Sequence, residues 1–168
     1  MIVVDYGGQP AKWKEIYKLK KKYKFQIVSD NCHSYGAKYY NKKSYATYYA
    51  DMVSLSFHPV KHITTGEGGA ILTNNTKLFH KSKVLRSHGI IKNNRINIGK
   101  KISQLNQIGY NYRLSDIHCA LGISQLKKIN LFIKKRRIIA GWYNKILGKI
   151  IDFKIPSEKK NCFHSYHL

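Results

Sequence analysis

Two short apolar runs separated by an amphipathic stretch open the sequence. Residues 2–4 form the first run, which predicts a short buried strand, and residues 25–28 form the second, which ends just before Asp30. Between them, after a Gly-Gly turn, apolar side chains recur at helical spacing and predict a helix over residues 10–23. A strand, a helix and a strand in this order predict a right-handed βαβ unit in a mostly parallel sheet, and hence an α/β fold.

The middle of the chain alternates between apolar and serine positions. This alternation over residues 53–57 predicts a strand, and the strand leads into Lys61. A glycine-rich turn at residues 66–69 precedes a second strand over residues 70–73 and a helix over residues 76–86. We interpret the glycine-rich stretch as turn chemistry, because it fits neither the dinucleotide-binding nor the P-loop pattern.

The last part of the sequence combines an irregular stretch with a long helix. Residues 88–112 are polar and lack a clear period, so no regular element is predicted there. Ser115 has the chemistry of a helix N-cap, and the apolar positions after it lie mostly on one face. The pattern predicts one long helix, broken near Gly122.

Composition bounds the protein class. The chain has 168 residues, of which 43% are hydrophobic, which is enough for one packed domain. Its 31 Lys and Arg against 8 Asp and Glu give a net charge of +23, which favours a polyanionic partner. Only five of the basic residues are Arg, whose planar fork reads bases and phosphates. The densest basic stretch, residues 127–137, keeps helical order, so we interpret it as a solvated helix face and expect no nucleic-acid partner.

Cysteine usage and hydropathy indicate a compartment. The three cysteines, Cys32, Cys119 and Cys162, are widely spaced and form no CxxC pair, which favours a reducing environment. The apolar runs are far shorter than the ~20 residues that a membrane-spanning helix needs. We therefore expect a cytoplasmic protein that does not enter a membrane.

A carboxylate and a lysine follow two of the predicted strands. Because the carboxyl ends of parallel strands meet at one edge of a sheet, we expect Asp30 and Lys61 to lie close together. A lysine that binds an aldehyde and a carboxylate that keeps a pyridine nitrogen protonated are what pyridoxal phosphate requires. Ser56 would offer its hydroxyl to the phosphate. By spacing alone, a solvated surface lysine explains Lys61 as well.

Longer blocks carry a more specific resemblance. The blocks VSDNCHSYGAKY, SLSFHPVKHITTGEGGAILTNN, SHGI, IGYNYRLSDIHCALGISQLKK and KKRRIIAGWY occur in this order. They resemble the DegT/StrS family of pyridoxal-phosphate-dependent nucleotide-sugar aminotransferases, most closely the 4-aminotransferases of the pseudaminic-acid pathway. The resemblance implies the large domain of the fold-type-I (aspartate aminotransferase-like) fold, a mostly parallel sheet with flanking helices.

The resemblance also implies roles for individual residues. Lys61 matches the lysine that binds the cofactor's aldehyde and moves a proton, and Asp30 matches the carboxylate that pairs with the pyridine nitrogen. His33 occupies the position that contacts the ring hydroxyl, and Ser56 matches a phosphate ligand. Asn111 matches the asparagine that reaches the phosphate in the neighbouring subunit, which implies a homodimer with shared sites.

Substrate and domain organisation follow from the same resemblance. The implied reaction transfers an amino group, with glutamate as donor, to a 4-keto nucleotide sugar for surface glycan synthesis. Family members are about twice as long, so we expect residues 1–150 to form an incomplete cofactor-binding large domain and residues 151–168 to begin a small C-terminal domain. The alternative is a catalytically inactive fragment that serves as an association module.

Two further chemistries remain open at this point. Cys162, His164 and His167 offer three zinc ligand types, although no fourth ligand is evident, so we predict no metal site. Cys32 lies next to the candidate site, where it is either a nucleophile or a small buried side chain.

Overall fold

Short strands with helices between them make up the first half of the chain, as the hydrophobic pattern predicts. The computed structural model describes residues 1–97, 100–105, 107–150 and 154–168, and only the backbone of residues 92–97 and 100–104. In chain order the elements are β1 (Ile2–Val4), α1 (Trp13–Tyr23), β2 (Val28–Asp30), β3 (Lys38–Tyr39), α2 (Tyr45–Tyr49), β4 (Met52–Ser56), β5 (Gly69–Leu72), α3 (Thr76–Arg86), β6 (Ile90–Asn97), β7 (Lys100–Leu105), α4 (Asp116–Leu126), α5 (Ile129–Leu147) and β8 (Cys162–Phe163).

A four-stranded sheet of order β1-β2-β4-β5 forms the centre of the first half. Strands β1, β2 and β4 are parallel, and β5 pairs antiparallel with β4. The predicted α/β architecture with a mostly parallel sheet is therefore confirmed. Its register aligns Val4 with Asp30 and Asp30 with Ser54.

The hydrophobic core lies on one face of this sheet. Trp13 of α1 and Tyr45 of α2 are buried there against Ile27 and Val53. The indole of Trp13 lies parallel to the ring of Tyr49 at 6.2 Å between centroids. Removing a buried side chain of this size typically costs about 3–5 kcal/mol of folding free energy.

The other face of the sheet is the open face, formed by Ile2, Val4, Val28 and Ile71. Ile2 is 72% exposed and Ile71 is 56% exposed. The prediction of a buried first strand is therefore wrong for two of its three residues. The alternation of strand side chains puts only Val3 on the covered face, where α1 and α2 pack.

Helix α1 begins at Trp13, three residues later than the predicted start at residue 10. The backbone N–H of Ala11 donates to the side chain of Asp5 at 2.7 Å. The backbone before Trp13 is therefore hydrogen-bonded to a carboxylate and does not form a helical turn. The helix ends at Tyr23, and its C-cap Lys24 adopts a left-handed conformation with φ of 56°.

Two predictions for the second half are wrong. Residues 88–112 include the antiparallel hairpin of β6 and β7, because backbone pairing holds a two-stranded ribbon together without an apolar repeat. The break in the long helix lies between Leu126 and Ile129, not near Gly122. A Cβ atom on Gly122 would lie 2.8 Å from the Thr65 side chain, so this glycine permits a close approach between α4 and the loop that contains Thr65.

The end of the chain packs back onto its beginning. Strand β8 pairs antiparallel with β3, and His164 and Ser165 are buried. The predicted domain boundary after residue 150 falls next to residues 151–153, which lie outside the described residues, so that boundary stays a prediction. Among the described residues, no helix combines the length and the apolarity that crossing a bilayer requires.

Candidate active site at the carboxyl edge of the sheet

Three loops leave the sheet at one edge. Because β1, β2 and β4 run parallel, the loops that follow them, residues 5–8, 31–34 and 57–63, all begin at their shared carboxyl edge. Asp30 is the last residue of β2, and Ser56 is the last residue of β4. This edge therefore carries two of the predicted site residues on neighbouring strands.

Asp30 and Ser56 also share a face of the sheet. Asp30 pairs with Ser54 across β2 and β4, and Ser56 follows Ser54 by two residues. Since side chains along a strand alternate between the two faces, all three side chains point to the same one. The register of Ile71 with Ser54 identifies it as the open face.

Asp30 and Lys61 act electrostatically on the same two side chains. Burial lowers the pKa of His33 below its ordinary value, the positive charge of Lys61 lowers it further, and the carboxylate of Asp30 opposes the shift. Burial raises the pKa of the Cys32 thiol to about 11; a hydrogen bond to Asp30 adds to the shift, and the charge of Lys61 opposes it. The charges of Asp30 and Lys61 therefore act in opposite directions on the pKa of both Cys32 and His33.

The shift at Cys32 bears on its chemistry. With a pKa of about 11 the side chain is a neutral thiol at neutral pH, and its sulfur contacts the carbonyl oxygen of Ser54 at 3.8 Å. A thiol nucleophile needs a lowered pKa. The structure therefore favours the interpretation of Cys32 as a small packing residue.

The ring of His33 is held in the loop after β2. Its Nδ1 accepts a hydrogen bond of 3.4 Å from the backbone N–H of Gly7, which leaves the proton of a neutral ring on Nε2. The ring also contacts Tyr6 and His167, at centroid separations of 5.5 Å and 4.4 Å. His33 thus presents an N–H donor at the edge where Asp30 lies.

The remaining predicted residues differ in position. The hydroxyl of Ser56 accepts a hydrogen bond of 3.4 Å from the backbone N–H of His58, within the turn that leads to Lys61. Asn111 is exposed and pairs with Ser87 beside the end of α3. Among the described residues, Asn111 makes no hydrogen bond to the other four predicted site residues, so its role in a neighbouring subunit stays a prediction.

A buried carboxylate, Asp5, was not predicted from the sequence. It is 0% exposed and lies directly after β1. Its hydrogen-bond donors are the backbone N–H of Ala11 (2.7 Å), Trp13 Nε1 (3.0 and 3.3 Å), Asn31 Nδ2 (2.7 Å), Ser34 Oγ (3.3 Å) and the Tyr45 hydroxyl (2.6 Å). Burial raises the pKa of Asp5, and the bonds from Tyr45 and Ala11 oppose that shift.

Asp5 is hydrogen-bonded to the loop after β2, which carries His33. Two of its donors, Asn31 and Ser34, flank the segment that contains His33. A buried carboxylate with this many donors fixes the groups around it, because each donor would lose its partner if it moved. The signal was weak in the sequence because Asn31 and Tyr45 are 26 and 40 residues away from Asp5.

His62 is a second residue whose role the sequence did not indicate. Its side chain is 3% exposed, and its Nε2 lies 3.1 Å from the carbonyl oxygen of Ser165. A carbonyl oxygen only accepts, so Nε2 carries the proton. Burial lowers the pKa of His62 to about 4; the bond to Ser165 opposes this shift, and the charge of Arg136 adds to it.

The candidate zinc ligands do not converge in the structure. Within the described ranges, no group of three or more His, Cys, Asp or Glu side chains is placed to hold a metal ion. His164 accepts a hydrogen bond of 2.9 Å from the backbone N–H of Tyr166 through Nδ1 and stacks on the Tyr166 ring. This ring therefore has a structural partner.

Comparison with known sequences identifies relatives along the whole chain. The model of the DegT/DnrJ/EryC1/StrS aminotransferase family matches residues 1–168. A Campylobacter jejuni protein, described as UDP-4-amino-4,6-dideoxy-N-acetyl-beta-L-altrosamine transaminase, is 45% identical over 99% of the chain and 43% of its own length. A Helicobacter pylori protein of the same description is 39% identical over 87% of the chain and 37% of its own length. The chain thus spans less than half the length of these relatives.

Solved structures share the fold. Helicobacter pylori PseC, an aminotransferase involved in the biosynthesis of pseudoaminic acid, superposes with a TM-score of 0.85 at 35% identity, over 99% of this chain and 43% of PseC. The Streptococcus pneumoniae protein Spr1654, described as a putative sugar aminotransferase in its PLP form, superposes with a TM-score of 0.84 at 24% identity over 99% of the chain and 45% of its own. The chain has the fold of part of the aminotransferase large domain.

Proposed function

We propose, from the premise that the chain belongs to the DegT/DnrJ/EryC1/StrS aminotransferase family, that it carries the lysine-bearing part of an active site for transamination of a 4-keto nucleotide sugar. Pyridoxal 5'-phosphate is the cofactor in this proposal. The observation that carries it is the geometry of the carboxyl edge: Asp30 ends β2, Ser56 ends the neighbouring β4 on the same face, and the turn that leads to Lys61 begins at Ser56.

The residues at the edge fit this cofactor. Lys61 is half-buried, so its amine is reachable yet partly shielded from water. Asp30 uses Oδ1 to accept the backbone N–H of Cys32 at 3.1 Å, and among the described residues Oδ2 accepts no hydrogen bond. Oδ2 is therefore available to a protonated ring nitrogen, and the hydroxyl of Ser56 and the Nε2–H of His33 are available to a phosphate and a ring oxygen.

Each residue has a distinct part in the proposed chemistry. The cofactor, when bound, supplies an electron-withdrawing ring that stabilises charge at the carbon that loses or gains a proton. Asp30 would pair with the protonated ring nitrogen, and that interaction would be stronger at a partly buried edge than in water. Lys61 would hold the cofactor through Nζ and would also hold or move a proton at that atom.

Substrate and assembly belong to the same proposal. The Campylobacter jejuni and Helicobacter pylori relatives, described as UDP-amino-sugar transaminases, support a nucleotide sugar as amino acceptor. Glutamate as donor, a homodimer in which Asn111 serves the partner's site, and a cytoplasmic location follow from the family resemblance. The exposure of Asn111 is compatible with a contact to a second subunit.

An association module without catalysis is a second candidate. The open face supports it, because Ile2, Val4, Val28 and Ile71 are all large apolar residues with substantial exposure. Apolar surface of this kind favours contact with another polypeptide. This candidate predicts association without covalent capture of the cofactor.

Covalent capture separates the two candidates. The purified chain is mixed with pyridoxal phosphate, reduced with borohydride and digested, and the modified lysine is identified by mass spectrometry. We expect the adduct at Lys61, its loss in Lys61→Arg, and a weaker yield in Asp30→Asn. The exposed Lys43→Arg variant is the matched control and should behave like the wild type. A folded chain whose adduct is absent, or spread evenly over its lysines, would refute the proposal and favour the association module.

A further inference from the structure

One buried residue near the end of the chain contacts all three loops of the carboxyl edge. Ser165 is 0% exposed. Its backbone N–H donates to the carbonyl oxygen of Gly8 at 3.0 Å, and its hydroxyl is 3.4 Å from the carbonyl oxygens of Gly8 and His33. Its own carbonyl oxygen accepts the Nε2–H of His62 at 3.1 Å. Gly8 follows β1, His33 follows β2 and His62 follows β4.

The segment that contains Ser165, residues 162–168, is called the C-terminal clasp below. It lies directly against the backbone of the first loop. The backbone N–H of His167 donates to the carbonyl oxygen of Gly7 at 2.9 Å. A Cβ atom on Gly8 would lie 2.6 Å from the hydroxyl oxygen of Ser165 and 2.9 Å from the backbone nitrogen of Tyr166. The clasp therefore leaves no room for a side chain at Gly8.

Two arginines of α5 hold the clasp from its other side. Arg136 donates to the carbonyl oxygens of Tyr166 and His167 at 3.3 Å and 3.2 Å. Arg137 donates to the carbonyl oxygen of His164 at 2.7 Å and forms an ion pair with Glu158. Both arginines belong to the basic stretch, residues 127–137, that we predicted to be a solvated helix face. In the structure they donate instead to carbonyl oxygens of the clasp.

His62 connects the clasp to the loop that carries the candidate cofactor lysine, Lys61. Its imidazole is buried, is hydrogen-bonded to the clasp, and is covalently adjacent to Lys61. The Lys61 backbone N–H donates to the carbonyl oxygen of His58, and the Thr65 N–H donates to that of Phe57, so the loop is a closed turn. A turn closed on itself still needs an external contact to fix its orientation to the sheet, and His62 supplies one.

We propose that His62 and Ser165 are positioning residues of the active site, through which the C-terminal clasp fixes the loops that carry Lys61 and His33. The inference rests on the proposed function, since it assigns these residues to the orientation of the cofactor lysine. His62 acts through the backbone next to Lys61 and does not touch the reacting atoms. Ser165 does the same for the loop of His33.

The first arm of the test needs no cofactor. Hydrogen–deuterium exchange is measured on the chain and on His62→Leu, which cannot donate to Ser165, and His62→Gln, which can. We expect the amides of Lys61 and Thr65 to exchange about tenfold faster in His62→Leu, the effect of one net hydrogen bond, and at nearly the wild-type rate in His62→Gln. Equal rates in His62→Leu and the wild type, or equal acceleration in both variants, would overturn the proposal.

The second arm measures covalent capture of pyridoxal phosphate at Lys61. We expect a yield about tenfold lower at limiting cofactor in His62→Leu and rescue in His62→Gln. Ile27→Val is the control for general destabilisation, because Ile27 is buried directly before β2, at the end of the strand opposite the carboxyl edge. A loss of capture in Ile27→Val equal to that in His62→Leu would contradict a positioning role.

Two further outcomes are separable. If His62→Leu does not fold, Ser165→Ala removes the hydroxyl contacts to Gly8 and His33 and keeps the backbone bond. We then expect faster exchange confined to residues 31–34, and unchanged exchange there would overturn the proposal. If the wild-type chain captures no cofactor, the proposed function fails, while the exchange arm still decides whether the clasp fixes the loop of Lys61.

Discussion

The hydroxyl of Tyr45 donates a hydrogen bond of 2.6 Å to the carboxylate of Asp5 in the core. Of the donors to Asp5, the Trp13 indole, the Asn31 amide and the Ala11 N–H cannot accept a proton in return. These donors favour the ionised form of the carboxylate and oppose the effect of burial, which raises the pKa of Asp5. It anchors the loop with Asn31 beneath the edge that carries the candidate site.

Removing one of these donors should destabilise the fold. We expect Tyr45→Phe to lower the free energy of unfolding by about 1.5–3 kcal/mol, the range for a hydrogen bond to a charged group. Urea unfolding followed by circular dichroism measures it. Tyr48→Phe is the matched control on the same helix, because the Tyr48 side chain is 64% exposed and its loss should cost under ~0.5 kcal/mol. Equal effects of the two variants would contradict the account of Asp5.

The two neighbouring glycines before α1 offer a test of close packing by the clasp. Both have positive φ, 63° for Gly7 and 103° for Gly8, so an alanine is strained at either position. A Cβ on Gly7 meets nothing within 4 Å, whereas one on Gly8 overlaps Ser165. We expect Gly7→Ala to cost about 1 kcal/mol and Gly8→Ala to cost clearly more, by thermal or urea unfolding. A larger loss for Gly7→Ala would show that the clasp does not press on Gly8.

The reactivity of Cys32 reports on the charges at the edge. Asp30 raises the pKa of the Cys32 thiol and Lys61 lowers it, although burial is the largest cause of its rise to about 11. We therefore expect Asp30→Asn to speed alkylation of Cys32 at fixed pH and Lys61→Gln to slow it, because the thiolate is the reactive form. Peptide mass spectrometry after timed exposure to iodoacetamide measures the rate at Cys32 alone.

A control and a contrary result are available for this experiment. Lys43→Gln removes a positive charge from an exposed position, and it should leave the alkylation rate of Cys32 unchanged. Effects of the same sign in Asp30→Asn and Lys61→Gln would mean that the two charges do not both act on Cys32. The explanation given for the raised pKa of Cys32 would then be wrong.

The buried histidine that donates to the clasp, His62, predicts a pH dependence of stability. Burial lowers the pKa of His62 to about 4 in the folded chain, whereas an unfolded histidine titrates near ~6.5. Between these values only the unfolded state binds the proton, so the free energy of unfolding falls as the pH is lowered from ~6.5 to about 4. We expect this contribution to cost on the order of 2 kcal/mol at pH 5.

His62→Gln isolates this contribution, since glutamine keeps a donor for Ser165 and does not titrate. Urea unfolding at pH 7 and pH 5 should show a smaller loss of stability in His62→Gln than in the wild type. His167 has the same lowered pKa, about 4, first through burial and then through the charge of His33, so some loss remains in the variant. An identical loss in both proteins would indicate that His62 titrates normally.

Local periodicity predicted much of the first half of the fold. The strand that ends at Ser56 and helix α3 follow directly from alternation and from helical spacing, because each pattern reports on neighbours a few residues away. The same logic brought Asp30 and Ser56 to one edge, since parallel order needs no knowledge of side-chain contacts. In this half the burial of Ile2 and Val4 was overestimated, the start of α1 was predicted three residues too early, and helix α2 was not predicted.

What the sequence did not reveal depends on distant partners. The donors of Asp5 and the contact of His62 with Ser165, 103 residues away, have no local signature. Strand β3 has two residues and is defined by its pairing with β8, so its pattern is too short to show a period. Gly122 was interpreted as a helix breaker. The structure explains the glycine by the close approach of Thr65, which is distant in the sequence.

The contact between Gly8 and Ser165 spans 157 positions of the chain. Residue 165 must therefore be synthesised before His62, in the loop of Lys61, can bond to Ser165, although β1, β2 and β4 come much earlier in the chain. Contacts of such long sequence separation form late, after local structure has condensed. If His62 and Ser165 position the lysine loop as proposed, that loop is fixed to the sheet only after Ser165 has been synthesised.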